Sequence, residues 1–341
     1  MYRIESFLSA RLFLTPQLVG DYIYFISNLN GRNSLYRMKT GGSVPQPLLP
    51  PDIALQNPHL IEGESFIVFP QLGQILVMID QDGDENYQPM LIPDTGGYPE
   101  PFHKDVFQGH SVFTGGEDLE RNLVFLIVQS RTESIFTSWL ANLETGELTK
   151  LNQSKFGGVP DGFNEARDKF ILTEQFGVGD HVLYTYNLED DVPQLLYGVP
   201  LAQREPDQVI PPTSIGQTHF VRDESALLFS TTIFSDTYSL AWMPLDDPDN
   251  IQPVPISGLV HEGQGEMTTL ERLEGNRYLL GFNIDGCSWR YEGMLDEETM
   301  QLNLEYVLCG QGELANGVLE KLRYDKAGDR YAIAFSTAVS P

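Results

Sequence analysis

The chain has 341 residues, enough for one large domain or two ordinary ones. Its 21 basic and 48 acidic residues leave a net charge of −27, which repels phosphate backbones and anionic bilayers and argues against nucleic-acid and membrane partners. No stretch approaches the ~18 apolar residues of a membrane-spanning helix, and the opening MYRIESFLSARLFLTP carries Glu5 and no apolar core of signal-peptide length, so a soluble cytoplasmic protein is the expectation.

The first clear element is a hairpin over residues 21–42, DYIYFISNLNGRNSLYRMKTGG. Tyr22 to Ser27 is a short apolar run, Asn28 to Asn33 is turn material, and a second strand follows from Ser34 to Lys39 before Gly41-Gly42. The unit recurs. The first run, IYFIS from Ile23, returns as FIVFP from Phe66, LVFLIVQ from Leu123, FILTEQ from Phe170, ALLFST from Ala226, YLLGFN from Tyr278 and YAIAFS from Tyr331, spaced about 43–57 residues apart.

A second strand follows six of these runs: SLYRM from Ser34, ILVMI from Ile75, SWLAN from Ser138, VLYTY from Val182, YSLAWM from Tyr238 and SWRYEGM from Ser288. A third begins at Gln88, Glu147, Pro193, Gln252 and Leu304. Between second and third strands lie DQDGDEN (80–86), LETGE (143–147), LEDD (188–191) and LDDPDN (245–250), whose Asp, Asn, Gly and Pro supply tight-turn geometry. Ahead of the runs, PHLI (58–61), THFV (218–221) and MTTLERL (267–273) read as a further short strand.

Four short antiparallel strands in roughly fifty residues, repeated without helical periodicity, mark a β-propeller. The fold expectation is all-β: a seven-bladed β-propeller of four-stranded antiparallel blades, in one domain over residues 1–341. The blades fall at about 10–50, 55–97, 106–152, 156–200, 208–256, 263–309 and 314–341. The apolar runs do not alternate, as expected of strands buried on both faces between blades. The seventh copy has only 318–325 and 331–336 before the chain stops, so this blade is incomplete or is closed by a strand from Tyr2 to Leu14. Stopping in mid-blade suggests a piece of something longer. Two sandwiches in tandem are the alternative all-β reading.

Candidate chemistry is sparse. Asp80, Asp82, Asp84 and Glu85 have the carboxylate density of a calcium loop, but loop position 12 is Leu91 and the flanks are strands, which favours a hairpin turn. His59, His103, His110, His181, His219 and His261 are scattered, and His261-Glu262 does not continue to a second histidine. Gly41-Gly42, Gly96-Gly97 and Gly157-Gly158 precede no helix, so they read as turns and not phosphate cradles. Trp139, Trp242 and Trp289 occupy equivalent places in second strands, where blade packing accounts for them. Cys287 and Cys309 lack CxxC spacing, so there is no zinc signature, and a single bridge stays open. No metal or cofactor site is expected.

NGRNSLYRMKTGG, the DQDGDENYQPMLI hairpin, ANLETGELTKL and the terminal LRYDKAGDRYAIAFSTAVSP resemble the N-terminal propeller of the prolyl oligopeptidase family of serine peptidases, in its acylaminoacyl-peptidase and dipeptidyl-aminopeptidase-like branch. The resemblance runs from about Arg11 to Pro341. It implies a non-catalytic domain that gates access of short peptides to an α/β-hydrolase domain joined after Pro341. That domain carries the family's catalytic triad and is not in this sequence. A nucleophile elbow needs Gly-x-Ser-x-Gly; approaches such as those around Ser214 and Ser288 each lack one glycine, so no catalytic residue carries over. The alternative is a stand-alone TolB-like propeller serving as an interaction or ligand-binding scaffold. A propeller enzyme with a metal at its channel is a third option, for which one sequence shows no convergence of ligands.

Overall fold

A computed structural model describes residues 11–55, 58–60, 63–80, 83–190 and 192–338. Apolar runs separated by Asp, Asn and Gly turns fold back on themselves, because the turn residues supply the backbone reversal and each strand's polar groups need a partner. The first sheet runs in chain order through β1 (Leu14–Val19), β2 (Tyr22–Ser27), β3 (Ser34–Lys39) and β4 (Gln46–Pro47). The second holds β5 (Phe66–Phe69), β6 (Gln74–Ile79), β7 (Gln88–Pro93) and β8 (Glu100–Pro101), and is followed by a one-turn helix, α1 (Lys104–Phe107). The third is β9 (His110–Asp118), β10 (Leu123–Ser130), β11 (Phe136–Asn142) and β12 (Leu148–Ser154).

The fourth sheet comprises β13 (Gly157–Phe163), β14 (Lys169–Gly177), β15 (Asp180–Asn187) and β16 (Gln194–Tyr197). The fifth has β17 (Ile215–Val221), β18 (Ala226–Thr231), β19 (Ser239–Pro244) and β20 (Gln252–Pro253). In the sixth, β21 (Ile256–Ser257) adds in parallel to the edge of an antiparallel set, β22 (Gly265–Glu274), β23 (Arg277–Ile284), β24 (Cys287–Asp296) and β25 (Gln301–Cys309). A last sheet is the pair β26 (Val318–Asp325) and β27 (Arg330–Ser336).

The architecture is an all-β propeller type with four-stranded antiparallel blades, but among the described residues the blades number six, not seven. The seventh apolar run, YAIAFS, forms β27 and pairs with β26 alone among the described residues. The expected closing strand falls mostly outside the described residues, and its last member, Leu14, opens β1 and pairs with Ile26 of the first blade. A second correction concerns PHLI: Pro58–Leu60 is a 3-10 turn and not a strand, and Ile61 lies outside the described residues. The second blade therefore begins with its apolar run, β5, and gains its fourth strand at the other edge as β8. Elsewhere, β27 apart, the run takes the second position with a strand on either side; β18 is buried at all six residues.

By compactness the chain forms two units. The first is Met1–Ser134, Trp139–Lys150 and Leu319–Pro341; the second is Ile135–Ser138 and Leu151–Val318. In unit one, Ile26, Leu35, Phe66, Val68, Ile75 and Val77 form one core, and Ile67, Phe69, Leu76, Val124 and Leu126 another. The two sets alternate along β5 and β6, so each face of this blade feeds a different core. In unit two, Leu228, Leu280, Tyr278 and Tyr291 centre one core, and Ile171, Leu183, Leu227 and Phe229 the other. Each such side chain contributes about 1.5–3 kcal/mol by leaving water. Trp139, Trp242 and Trp289 are half-buried against these cores.

Candidate functional site

Unit one carries the densest ionic arrangement. On β26, Lys321 and Arg323 are two residues apart and share a face. Lys321 bonds Glu64, just ahead of β5, and Arg323 reaches both Glu64, at 3.5 Å, and Glu117 on β9. Lys326 pairs with Glu120 at 2.6 Å, and Glu320 takes the Ser336 hydroxyl at 2.6 Å and lies 3.5 Å from His59. Burial pushes the Glu64 carboxyl up, but Lys321 and Arg323 outweigh it and hold the carboxyl below its ordinary range. At Glu64 and Glu117 two cations balance two carboxylates, so these pairs fasten strands.

Glu64 reaches this cluster because Gly63 precedes it with φ +73°, and a Cβ there would lie 2.1 Å from the Thr114 carbonyl oxygen. The Thr114 hydroxyl in turn accepts the Glu64 backbone N–H. The sequence held one signal for this cluster: Lys321 and Arg323, a basic pair at strand spacing in an acidic chain.

Unit one also contains a pocket of about 710 Å³. Ile53, Ile79, Met90 and Phe102 line it with apolar surface, while Asp52, Asp80 and Asp84 face it against one cation among the described residues, Lys104. The negative potential is registered by Tyr87, whose phenol is pushed up to about 12 by burial, then by Asp80, Glu85 and Asp84. An apolar wall under a negative rim suits a cationic, partly apolar guest. The loop read as a hairpin turn or a calcium loop contributes to this rim, although Gln81 and Asp82 lie outside the described residues. Asp80 Oδ2 accepts from Glu85 N at 3.3 Å and Asp84 Oδ1 from Asn86 N at 2.9 Å, so both carboxylates brace the turn. Among the described residues no three acidic, histidine or cysteine side chains converge as a metal site.

The histidines stay apart from one another. His110 Nδ1 lies 3.2 Å from the Gln108 carbonyl oxygen, and His181 Nδ1 is 2.9 Å from the Ile215 carbonyl oxygen. His219 is buried against the Leu270 carbonyl, and burial, with Arg272, lowers its proton affinity to about 4. His261 Nδ1 lies 2.8 Å from the Tyr291 hydroxyl, with burial lowering its pKa. His103 begins α1 with φ +51° and meets Phe102 and Phe107 edge-on. Cys287 and Cys309 are both free thiols, so the bridge left open by the sequence is not formed. Ser214 and Ser288, each one glycine short of a nucleophile elbow, lie beside and within strands, with no helix directly following. No helix among the described residues is long and apolar enough to cross a membrane.

No family model matches the sequence, and no curated protein matches it. Solved structures do. A puromycin-hydrolyzing peptidase from Mycobacterium tuberculosis superposes with a TM-score of 0.61 at 12% identity, over 95% of this chain and 52% of its own. A structure from a study of two prolyl endopeptidases gives 0.61 at 10% identity, over 96% and 50%. A puromycin hydrolase S511A mutant complexed with PGG gives 0.59 at 13%, over 97% and 55%. The chain thus spans about half the length of each. At this identity the likeness shows the fold, and the resemblance read from the sequence holds at that level: this chain has the fold of the propeller portion of prolyl oligopeptidase-family peptidases.

Proposed function

We propose that this chain is the substrate-gating, non-catalytic propeller domain of a prolyl-oligopeptidase-like serine peptidase acting on short peptides. The observation that carries the reading is the asymmetry of coverage: 95–97% of this chain matches only 50–55% of each peptidase. The sequence agrees, since it supplies no Gly-x-Ser-x-Gly. On this reading the whole chain is one propeller domain in the cytoplasm, an α/β-hydrolase domain follows Pro341, and specificity comes from excluding folded proteins by size. The acidic, apolar-walled pocket of unit one supports a preference for peptides bearing a free amine or a basic side chain.

The test has two arms. The native gene is read past Pro341, and its full product is treated with a serine-directed fluorophosphonate and assayed on short peptides and on casein. The expected result is a downstream Gly-x-Ser-x-Gly, labelling of the full product but not of residues 1–341 alone, and cleavage of the peptides only. A stop codon directly after Pro341, or labelling of the 341-residue chain, would overturn the reading; the former would favour the stand-alone scaffold.

A further inference from the structure

Side chains on one blade's first strand stitch it to the backbone of the next. In unit one, Gln17 on β1 is buried; its Nε2 donates to the Phe66 carbonyl at 2.7 Å and its Oε1 accepts from Val68 N at 3.2 Å. In unit two, Gln217 on β17 accepts from Leu270 N on β22 at 2.7 Å. An amide suits this work because it both donates and accepts.

The joint between β13 and β17 is built with a carboxyl. Asp161 on β13 accepts the backbone N–H groups of Thr218 and Gln217. Its Oδ2 is buried with no partner but the Thr218 hydroxyl beside it, which is itself buried and has no other partner. Packing is tight: a Cβ on the adjacent Gly162 would lie 2.3 Å from Thr218 Oγ1 and 2.7 Å from its carbonyl oxygen. An ionised carboxylate accepts only, so two amides and this one hydroxyl face a buried charge that needs a cation beside it.

Charged neighbours do not supply one. On β14, Lys169 pairs with Glu224 at 2.8 Å, and Glu174 is occupied by the Ser154 and Tyr184 hydroxyls. On β17, His219 faces the Leu270 carbonyl and is uncharged above about pH 4. On β22, Arg272 is held by the Phe220 carbonyl at 2.6 Å and by the Tyr278 hydroxyl. Burial therefore lifts the Asp161 carboxyl to about 6, with the Thr218 and Gln217 amides and the Thr218 hydroxyl opposing.

We propose that Asp161 is a proton-operated joint between β13 and β17. Protonated, it is neutral and offers a donor as well as an acceptor, like the glutamines at the other joints. Ionised, it places an uncompensated charge between the strands and loosens them. The sign follows from linkage: an acid whose folded value is raised favours the fold below its unfolded value, and that contribution is lost as pH rises through about 6.

The test compares thermal melts of the wild-type chain and Asp161→Asn from pH 4.5 to 8. Because His219 titrates in both, the difference isolates Asp161. The variant is expected to melt several degrees above wild type at pH 8, with the gap closing towards pH 4.5. A gap that is the same at every pH, or a variant that melts lower at pH 8, overturns the proposal. Should the variant fail to fold, hydrogen exchange on the wild-type chain decides. Amides of β17 at Gln217 and Thr218 are then expected to lose protection, relative to Val68 at the Gln17 joint, as pH rises through about 6; a constant ratio overturns the proposal.

Discussion

Gln17 shows how a single polar residue governs a joint. It is buried and pairs with both a carbonyl and an N–H of β5. Gln17→Leu keeps the volume near but strands two buried backbone groups, each worth about 1–3 kcal/mol when left unpaired. Urea unfolding is expected to show a loss of roughly 2–4 kcal/mol for this variant; a loss below about 1 kcal/mol would mean that the strands slide to find other partners. The thiols give a second prediction. Cys309 is buried, burial raises its pKa, and its Sγ lies 3.6 Å from the Ser288 and Leu314 carbonyl oxygens, while Cys287 is half-buried. A thiol reagent such as Ellman's should find one reactive group per native chain and two after guanidinium. Two fast thiols, or none, would contradict this packing. Gln17, Asp161 and Gly162 do not stand out in the sequence: one Gln, Asp or Gly within a strand carries no periodicity, and its meaning depends on a blade about fifty residues away.

At the scale of elements, the pair β26–β27 has no third strand among the described residues. Arg330 donates to the Gly20 carbonyl at 2.9 Å, and the Lys321–Glu64–Arg323–Glu117 cluster ties β26 to the strands around β5 and β9. Glu64→Gln removes the carboxylate that two cations share. Breaking a half-buried pair on one side costs less than the about 3–5 kcal/mol of a fully buried one, so a fall in stability of roughly 1–3 kcal/mol is expected at pH 7. Because the folded carboxyl is held below its ordinary value, this contribution is present above the unfolded value near 4.5 and lost as pH falls through the folded value. Wild type and variant should therefore converge in acid; a gap that persists to low pH would assign the loss to packing. The apolar runs were legible because strands buried on both faces need uninterrupted hydrophobes, and these runs became β2, β5, β10, β14, β18, β23 and β27. The blade count was not, since a run announces a strand but not its partners. The turn at Pro58–Leu60 and the two-residue strands β4 and β8 were equally hidden, being too short to show a period.

For the whole molecule, the excess of 48 acidic over 21 basic residues sets two effects of salt against each other. Exposed carboxylates repel one another, and this repulsion destabilises the compact state most when it is unscreened. Raising salt shortens the Debye length from ~30 Å at 0.01 M to ~10 Å at 0.1 M, which removes most of the long-range repulsion. Salt also weakens exposed pairs such as Lys326–Glu120, but these are worth only about 0–1 kcal/mol each. The better-shielded pairs at Glu64 are screened far less. The repulsion should therefore dominate, and the melting temperature is expected to rise between about 0.01 and 0.5 M sodium chloride. The Glu64→Gln variant should rise in parallel, because the net charge changes by only one. A wild-type melting temperature that falls with salt would mean that surface ion pairs outweigh repulsion. A rise confined to the variant would mean that the Glu64 cluster is itself open to solvent ions.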